Sequence, residues 1–354
     1  MKYLQKLLWP FSLLYGGVTK VRNYLYNKGT LPSRRFGIPV IAVGNLTVGG
    51  TGKTPHVEYL LRLLQAYKRA TVSRGYKRQS KGFLLADARS TAAVLGDEPF
   101  QYHLDFPGVA VAVSEDRVAG VEELLQRLPD LEVVVLDDAL QHRPVQPSLN
   151  ILVTDYNRPF YDDLVLPAGL LRESRHGASR ADAVIVSKCP PQLTQEQQEE
   201  IHRKIGKYTA PATPVFFSSF IYGAPVRMGI AEAPGKQVVL MTGIANAAPL
   251  KQYLSAQGYQ VLQHLAFPDH YQYTVADLQK LKQLLQSPVF ARATTILTTR
   301  KDAVKLAGPE LKDLTEQLPV FYIPIKVQLL GAQEAFNELV LLHVRQFKAK
   351  EPGR

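Results

Sequence analysis

Short apolar runs alternate along most of the chain with stretches whose apolar positions recur every three to four residues. This pattern predicts strands at Pro39–Gly44, Ala70–Ser73, Val109–Val113, Glu132–Asp137, Asn150–Thr154 and Ala183–Ser187. It predicts helices at Thr54–Ala66, Arg117–Leu128 and Thr194–Lys204, the last with Thr194 as its N-cap. Strands that are apolar throughout, separated by helices, define an α/β fold with a parallel sheet covered on both faces. The stretch 207–225, with Pro211, Pro214, Gly223 and Pro225, breaks the rhythm. A second set follows: strand Val238–Thr242, helix Ala248–Gln257, strand Tyr259–Leu265, helix Val275–Leu285, and strands Thr294–Thr298 and Val320–Ile325. A helix at Gln333–Arg345 and a basic tail close the chain. The expected organisation is an N-terminal arm at 1–36, a first α/β domain at 37–210, a smaller α/β lobe at 211–330 and a C-terminal helix and tail at 331–354. A cleft between two lobes is a common place for a ligand.

Composition is that of an ordinary globular protein, 46% hydrophobic and 21% charged, which excludes disordered and low-complexity classes. The charge is uneven. The first 57 residues contain no Asp or Glu and carry Lys2, Lys6, Lys20, Arg22, Lys28, Arg34, Arg35 and Lys53, most of the formal net charge of +11. Within them Leu4, Leu7, Leu8, Phe11, Leu14, Tyr15 and Val18 fall near one helical face, Trp9 lies at its margin, and Lys2 and Lys6 lie roughly opposite. The uncharged run Leu7–Thr19 is shorter than the ~20 apolar residues that a spanning helix needs. No small-x-small cleavage site precedes Lys20, so a secretory signal is not expected. Two readings remain: a helix packed on its own domain, or a basic amphipathic helix in the interface of an anionic membrane. The absence of acidic residues well beyond the helix favours the second. No helix-turn-helix, zinc-finger or RNA-binding pattern accompanies the charge, so no nucleic-acid partner is expected. The single cysteine, Cys189, excludes an intramolecular disulfide and argues against a thiolate zinc site.

The first predicted strand runs into Asn45-Leu-Thr-Val-Gly-Gly-Thr-Gly-Lys-Thr54-Pro55. Gly49, Gly50 and Gly52 let backbone N–H groups converge on phosphate oxygens, and Lys53 can reach the β- and γ-phosphates. The Thr54 hydroxyl can ligate Mg²⁺. Thr47, Val48, Gly49, Gly50, Thr51, Gly52, Lys53 and Thr54 are the expected nucleotide contacts, with Thr47 where such loops usually begin with glycine. A second apolar strand ends in Asp137-Asp138, the arrangement that holds Mg²⁺ in phosphate-loop enzymes. Neither Val186-Ser-Lys-Cys189 nor Thr299-Arg-Lys-Asp302 fits the Asn-Lys-x-Asp guanine reader, so ATP is the expected nucleotide.

A kinase must also deprotonate its acceptor and neutralise the moving phosphate. Asp97 and Glu98, rigidified by Pro99, are candidates for base and metal environment. His270 of the second lobe can hydrogen-bond Asp97 if the lobes meet. Arg172 can stabilise the phosphoryl group, and Arg74 and Tyr76 can meet an anionic or sugar ligand. The rival class is a membrane-recruited phosphate-loop ATPase that acts as a partner-exchange switch, which leaves Asp97, Arg172 and His270 without a shared role.

Eight segments in order carry a resemblance: 44–55, Ser73-Arg-Gly-Tyr76, Gly96-Asp-Glu-Pro99, Leu136-Asp-Asp-Ala-Leu-Gln-His142, Leu166-Pro-Ala-Gly-Leu-Leu-Arg-Glu173, Thr242-Gly-Ile-Ala-Asn246, Phe267-Pro-Asp-His-Tyr271 and Arg300-Lys-Asp-Ala-Val-Lys305. Together they resemble the tetraacyldisaccharide 4′-kinases, the lipid A 4′-kinases of Gram-negative bacteria, whose phosphate loop also begins with threonine. Ala139, Leu170, Tyr271 and Arg300 depart from the family's usual residues. The resemblance implies transfer of the γ-phosphate of MgATP to the 4′-hydroxyl of an acylated glucosamine disaccharide 1-phosphate, giving lipid IVA. It implies a peripheral enzyme at the cytoplasmic face of the inner membrane. It assigns Asp97 as base assisted by His270, Lys53 and Arg172 to the phosphoryl group, and Thr54, Glu98, Asp137 and Asp138 to Mg²⁺. Arg74 and Tyr76 would lie near substrate or nucleotide.

Overall fold

The computed structural model describes residues 2–288, 290 and 295–350, with the side chains of 7–288, 290 and 295–347. The side chains of Lys2, Leu4 and Lys6, the expected strand start Thr294 and the tail residues 351–354 lie outside the described residues. The chain opens with α1 (Lys2–Asn27), then β1 (Val40–Gly44), α2 (Lys53–Leu63), β2 (Arg69–Ser73), β3 (Leu84–Leu85), α3 (Ala92–Leu95), α4 (Asp97–Asp105) and β4 (Val109–Val113). It continues through α5 (Arg117–Arg127), β5 (Val133–Asp137), β6 (Leu149–Asp155), β7 (Ala183–Ser187), α6 (Gln195–Gly206) and β8 (Val215–Tyr222).

The second lobe follows with β9 (Val226–Arg227), β10 (Gln237–Thr242), α7 (Ala248–Ala256), β11 (Gln260–Ala266), α8 (Val275–Gln286), β12 (Thr295–Thr299), α9 (Arg300–Leu306), α10 (Lys312–Glu316) and β13 (Val320–Ile323). The chain then returns to the first lobe through β14 (Ile325–Leu329) and α11 (Gln333–Lys350).

Nine strands form the larger sheet, in the order β14-β8-β7-β6-β1-β5-β2-β4-β3, and five form the smaller one, β11-β10-β12-β13-β9. From β8 to β4 the larger sheet is parallel, with β14 and β3 antiparallel at its edges. Its strands are buried on both faces. Ile41, Val43 and Val135 pack with Val57 and Leu61 of α2 and with Phe336, Val340 and Val344 of α11. Val40, Ala42, Val134 and Leu136 pack with Val121 and Leu124 of α5.

The sheets divide the chain differently from the division expected at 211 and 330. β8 lies in the stretch read as a break, yet it pairs parallel with β7 in the first sheet. The strand expected at Val320–Ile325 is two strands in different sheets. Pro324 separates them, because proline cannot donate to a ladder, while its carbonyl accepts from Gly223 N–H at 2.8 Å. The second lobe is thus inserted between β8 and β14, which pair antiparallel.

The arm is one helix through Pro10, Gly16 and Gly17, and its orientation is the reverse of the usual amphipathic packing. Its polar side faces the domain. Ser12 Oγ accepts from Ala168 N–H (2.9 Å), Tyr15 OH donates to the Arg172 carbonyl (3.0 Å), and Asn23 donates to Glu173 (2.6 Å). Leu7, Phe11, Leu14, Val18 and Val21 face outward as one exposed stripe, Leu14 at 71% and Val18 at 69%.

β1 delivers the phosphate loop, and its last residue must be glycine for a steric reason. A Cβ on Gly44 would lie 2.5 Å from Leu140 Cβ and 2.8 Å from Leu140 N. Gly44→Ala should therefore cost about 2 kcal/mol or more in denaturant unfolding. Gly206→Ala, whose added Cβ meets open space, should be near neutral.

Candidate active site

The phosphate loop spans 45–52 between a fully buried strand and a helix whose first N–H groups lack intrahelical acceptors. Its first half is stitched to the segment 164–173. Thr47 bridges Leu171, and Val48 N–H donates to the Leu170 carbonyl at 2.8 Å. Asn45 donates to the Thr51 hydroxyl at 2.9 Å. Gly50 has open space beside it, and Gly49 has a positive φ of 107°. Gly52 takes a left-handed conformation, φ 88°, and a Cβ there would meet the Phe220 ring at 2.6 Å. Lys53 and Thr54 begin α2. Lys53 Nζ lies 3.5 Å from Asp138 Oδ1, and the Thr54 hydroxyl neighbours that of Tyr102.

The acidic pair at the end of β5 is held in two different ways. Asp137 is buried; one oxygen accepts from Tyr102 OH at 2.9 Å and the other has no partner. Burial is the largest influence on it and raises its carboxyl to about 6, with the neighbouring charges of Asp138 and Glu98 adding to the rise. Asp138 turns into the left-handed region, φ 50°, and accepts from Arg172 with both oxygens, at 2.9 and 3.0 Å. Burial opposes its ionisation, but the charges of Lys53 and Arg172 override burial and hold it below the usual carboxylate range. Gln141 closes the ring of contacts by donating to the Asn45 carbonyl (2.8 Å) and to Glu173 (3.0 Å).

Asp97 and Glu98, for which the sequence pattern predicts no helix, form the first turn of α4, where acidic side chains complement the helix dipole. The second lobe meets them with an imidazole and basic side chains. His270, at a positive φ of 61°, places Nδ1 3.3 Å from Asp97 Oδ2, while Lys301 Nζ lies 3.1 Å from its Nε2. Lys301 acts as donor there, so the imidazole carries its proton on Nδ1 and donates it to Asp97. Lys305, buried, sits 3.6 Å from Asp97 and 3.4 Å from Asp302. Lys301 lies 4.0 Å from Glu98, and Arg300 donates through Nε to both oxygens of Asp105 at 3.0 and 3.1 Å. Burial alone would raise the Asp97 carboxyl. The hydrogen bond from His270 and the charge of Lys305 outweigh it and hold Asp97 below its ordinary value.

Tyr76 is exposed and stands edge-on to the His270 ring at 5.3 Å. Arg74 is exposed near His142, which burial, aided by the charges of Arg117, Arg22 and Arg74, lowers to about 4. Sequence reasoning gave no role to Lys305, Tyr102, Arg117 or Gln141. A lysine between apolar residues on one helical turn, as in Asp302-Ala-Val-Lys305, is the signal that marks Lys305 as buried. Among the described residues, no group of three or more His, Cys, Asp or Glu side chains forms a ready-made metal cage.

Fold and loop together define a two-lobed phosphate-loop nucleotide-binding protein with an acid–imidazole pair between its lobes. The sequence profile of the tetraacyldisaccharide-1-P 4′-kinases matches residues 4–345. A tetraacyldisaccharide 4′-kinase of Flavobacterium johnsoniae is 43% identical over 352 residues, covering 98% of this chain and 99% of the relative. One of Cytophaga hutchinsonii is 46% identical over 338 residues, 94% of each. The crystal structure of LpxK from Aquifex aeolicus in complex with ATP superposes with a TM-score of 0.74 at 32% identity, over 96% of this chain and 99% of that one. The chain belongs to the tetraacyldisaccharide-1-P 4′-kinase family.

The raised Asp137 carboxyl carries a stability cost of definite sign. Its folded value lies above the ordinary one, so the cost is absent at low pH and appears as pH rises through about 6. Asp137→Asn should stabilise the nucleotide-free protein by roughly 2 kcal/mol at pH 8 and change little near pH 4, measured by denaturant unfolding.

Proposed function

We propose that this protein transfers the γ-phosphate of ATP to the 4′-hydroxyl of a tetraacyldisaccharide 1-phosphate, working from the cytoplasmic face of the inner membrane. The observation that carries the reading is Asp97: a buried carboxylate kept ionised by His270 and Lys305 of the other lobe. Glu98 beside it acts electrostatically on Asp137, which lies in the Lys53–Arg172–Asp138 cluster. Asp97 takes the acceptor hydroxyl's proton as the new O–P bond forms and the bond to the β-phosphate oxygen breaks, releasing ADP. His270 orients that carboxylate through Nδ1–H. Lys53 and Arg172 turn from Asp138 to the transferring phosphoryl group, where the charge needs them most.

The donor set fits Mg²⁺, which binds through one or two carboxylates plus substrate phosphates rather than an all-protein cage. Asp137 has a buried oxygen without a partner, and Asp138, Glu98 and the Thr54 hydroxyl stand nearby. These residues would hold Mg²⁺, which would supply positive charge to offset that of the phosphates.

The outward stripe of α1 supports membrane attachment. No described helix is long and apolar enough to cross a membrane, but Leu7, Phe11, Leu14, Val18 and Val21 can lie in the interface, with Lys20 and Lys28 toward anionic headgroups. Arg74 and Tyr76, exposed beside His142 and His270, suit the anionic and sugar parts of the substrate.

With γ-labelled ATP, Mg²⁺ and tetraacyldisaccharide 1-phosphate in detergent, label should enter a bis-phosphorylated lipid, and Asp97→Ala should abolish this. Free phosphate alone, released equally by both proteins, would favour the ATPase switch. Lys305→Met removes a charge that favours ionised Asp97, so the acid limb of kcat/KM should move upward by about one pH unit. A limb that stays put would remove Lys305 from the account of the base. Phe11→Ser, Leu14→Ser and Val18→Ser combined should abolish sedimentation with phosphatidylglycerol vesicles while leaving the Kd for ATP unchanged.

A further inference from the structure

Behind the phosphate loop stand three side chains for which the transfer chemistry has no use. Lys188 donates to the Gly50 carbonyl and, at 2.6 Å, to Asp155. Ser187 Oγ donates to the Thr51 carbonyl at 2.6 Å. His56 Nδ1 donates to the Gly52 carbonyl at 2.7 Å, and its Nε2 accepts from Ser218 Oγ at 2.9 Å. Burial lowers His56 to about 4, so at neutral pH its single proton is free to sit on Nδ1. Three consecutive loop carbonyls are thus gripped by donors from two elements, the end of β7 and the first turns of α2.

A trans peptide puts its C=O and N–H on opposite sides. Fixing the Thr51 and Gly52 carbonyls turns the Gly52 and Lys53 N–H groups the other way. The glycines that allow this geometry also allow many others, since glycine populates both signs of φ with little cost. A loop reading Val-Gly-Gly-Thr-Gly therefore needs an external constraint to hold one arrangement before ligand arrives. Lys188 reaches its carbonyl from a left-handed backbone, φ 59°, an uncommon state for lysine. Ser187 and His56 are buried, so neither is available to an outside ligand. Val186-Ser-Lys-Cys189 fails as a guanine reader because Pro190 stands where that pattern needs its carboxylate; its contacts are to the loop.

We propose that Lys188, Ser187 and His56 are positioning residues for ATP, fixing the peptide planes at 50–52 so that the Gly52 and Lys53 N–H groups are set for the phosphates in advance. The proposal rests on the reading of this loop as the ATP site. It goes beyond that reading by assigning ATP affinity to residues that do not touch the nucleotide. Preorganisation is realised on binding, so the loss falls on Kd and KM for ATP and spares kcat at saturation.

The test is calorimetric titration of the full chain with MgATP, alongside kinase kinetics and melting without nucleotide. Lys188→Met and Ser187→Ala should each weaken ATP binding about tenfold, the scale of one hydrogen bond that favours the bound geometry. Saturated kcat should stay within about threefold of wild type, and Lys188→Arg should recover most of the affinity. Nucleotide-free melting should be unchanged in Ser187→Ala, while its rise on adding ATP shrinks. If Lys188→Met fails to fold with Asp155 left unpaired, the double variant Lys188→Met, Asp155→Asn and the Ser187→Ala variant carry the test.

Wild-type affinity in Ser187→Ala and Lys188→Met, with affinity lost in Lys53→Met, would overturn the proposal and leave the ATP site standing. Weakened binding that tracks lost melting temperature equally in Lys188→Arg and Lys188→Met would overturn it as well, because the role would then be structural only. Absence of ATP binding in the wild type would instead remove the reading beneath it.

Discussion

The carboxylate of Asp138 joins three parts of the chain that the sequence keeps far apart. Lys53 comes from the start of α2, Arg172 from the segment 164–173, and Asp138 itself from the end of β5. Without that carboxylate, an ammonium and a guanidinium would face each other at the mouth of a partly buried site. At separations near 4 Å and an effective dielectric constant of 20, a pair of unit charges interacts by about 4 kcal/mol. The sign of that interaction decides whether the loop and the 164–173 segment stay together. The Thr47–Leu171 and Val48–Leu170 contacts add hydrogen bonds to the same junction. The arrangement needs a left-handed backbone at Asp138, which a short polar side chain tolerates better than most.

Charge is also what the lobes share, and its distribution is one-sided. The first lobe supplies Asp97, Glu98 and Asp105 from α4, and the second supplies His270, Arg300, Lys301 and Lys305. Breaking one member of a buried pair leaves an uncompensated charge, which costs far more than the intact pair contributes. The protonation state of Asp97 is therefore a property of the contact between lobes. Burial works against its ionisation, and the hydrogen bond from His270 together with the charge of Lys305, both from the second lobe, reverses that. Val304, packed with Leu95, Phe100 and Val113, adds an apolar element to the junction.

The alternation of apolar runs made the parallel sheet legible, because strands buried on both faces leave a continuous signal. β8 was hidden by the prolines and glycine around it, and the sheet change at Pro324 was hidden because Val320–Ile325 reads as a single apolar run across that proline. A strand's sheet is a long-range fact with no local signature. In the site, Gly52-Lys53-Thr54 at a strand–helix junction is readable from local geometry alone. The first turn of α4 was missed because Gly96 and Pro99 resemble a loop, although Gly96 at φ 94° is the residue preceding that helix. Lys305 and Tyr102 matter through partners 208 and 35 residues away, Asp97 and Asp137, and no local pattern carries such distances.

The reversed packing of α1 connects the surface of the molecule to its site. An ordinary surface helix buries its apolar stripe on the core beneath it; this one uses hydroxyl, amide and guanidinium groups for that purpose. Tyr15 holds the backbone carbonyl of Arg172, Asn23 holds the carboxylate of Glu173, and Arg22 reaches the carbonyl of Gln141 at 3.3 Å. Those three residues also line the Asp138 junction. Hydrogen bonds are directional where apolar packing is not, so the helix is fixed in rotation as well as in place. The outward direction of Leu7, Phe11, Leu14, Val18 and Val21 is consequently set by the same contacts that set Arg172. A surface that received this stripe would be held at one orientation to the phosphate loop, the geometry that an enzyme acting on a substrate confined to a leaflet requires.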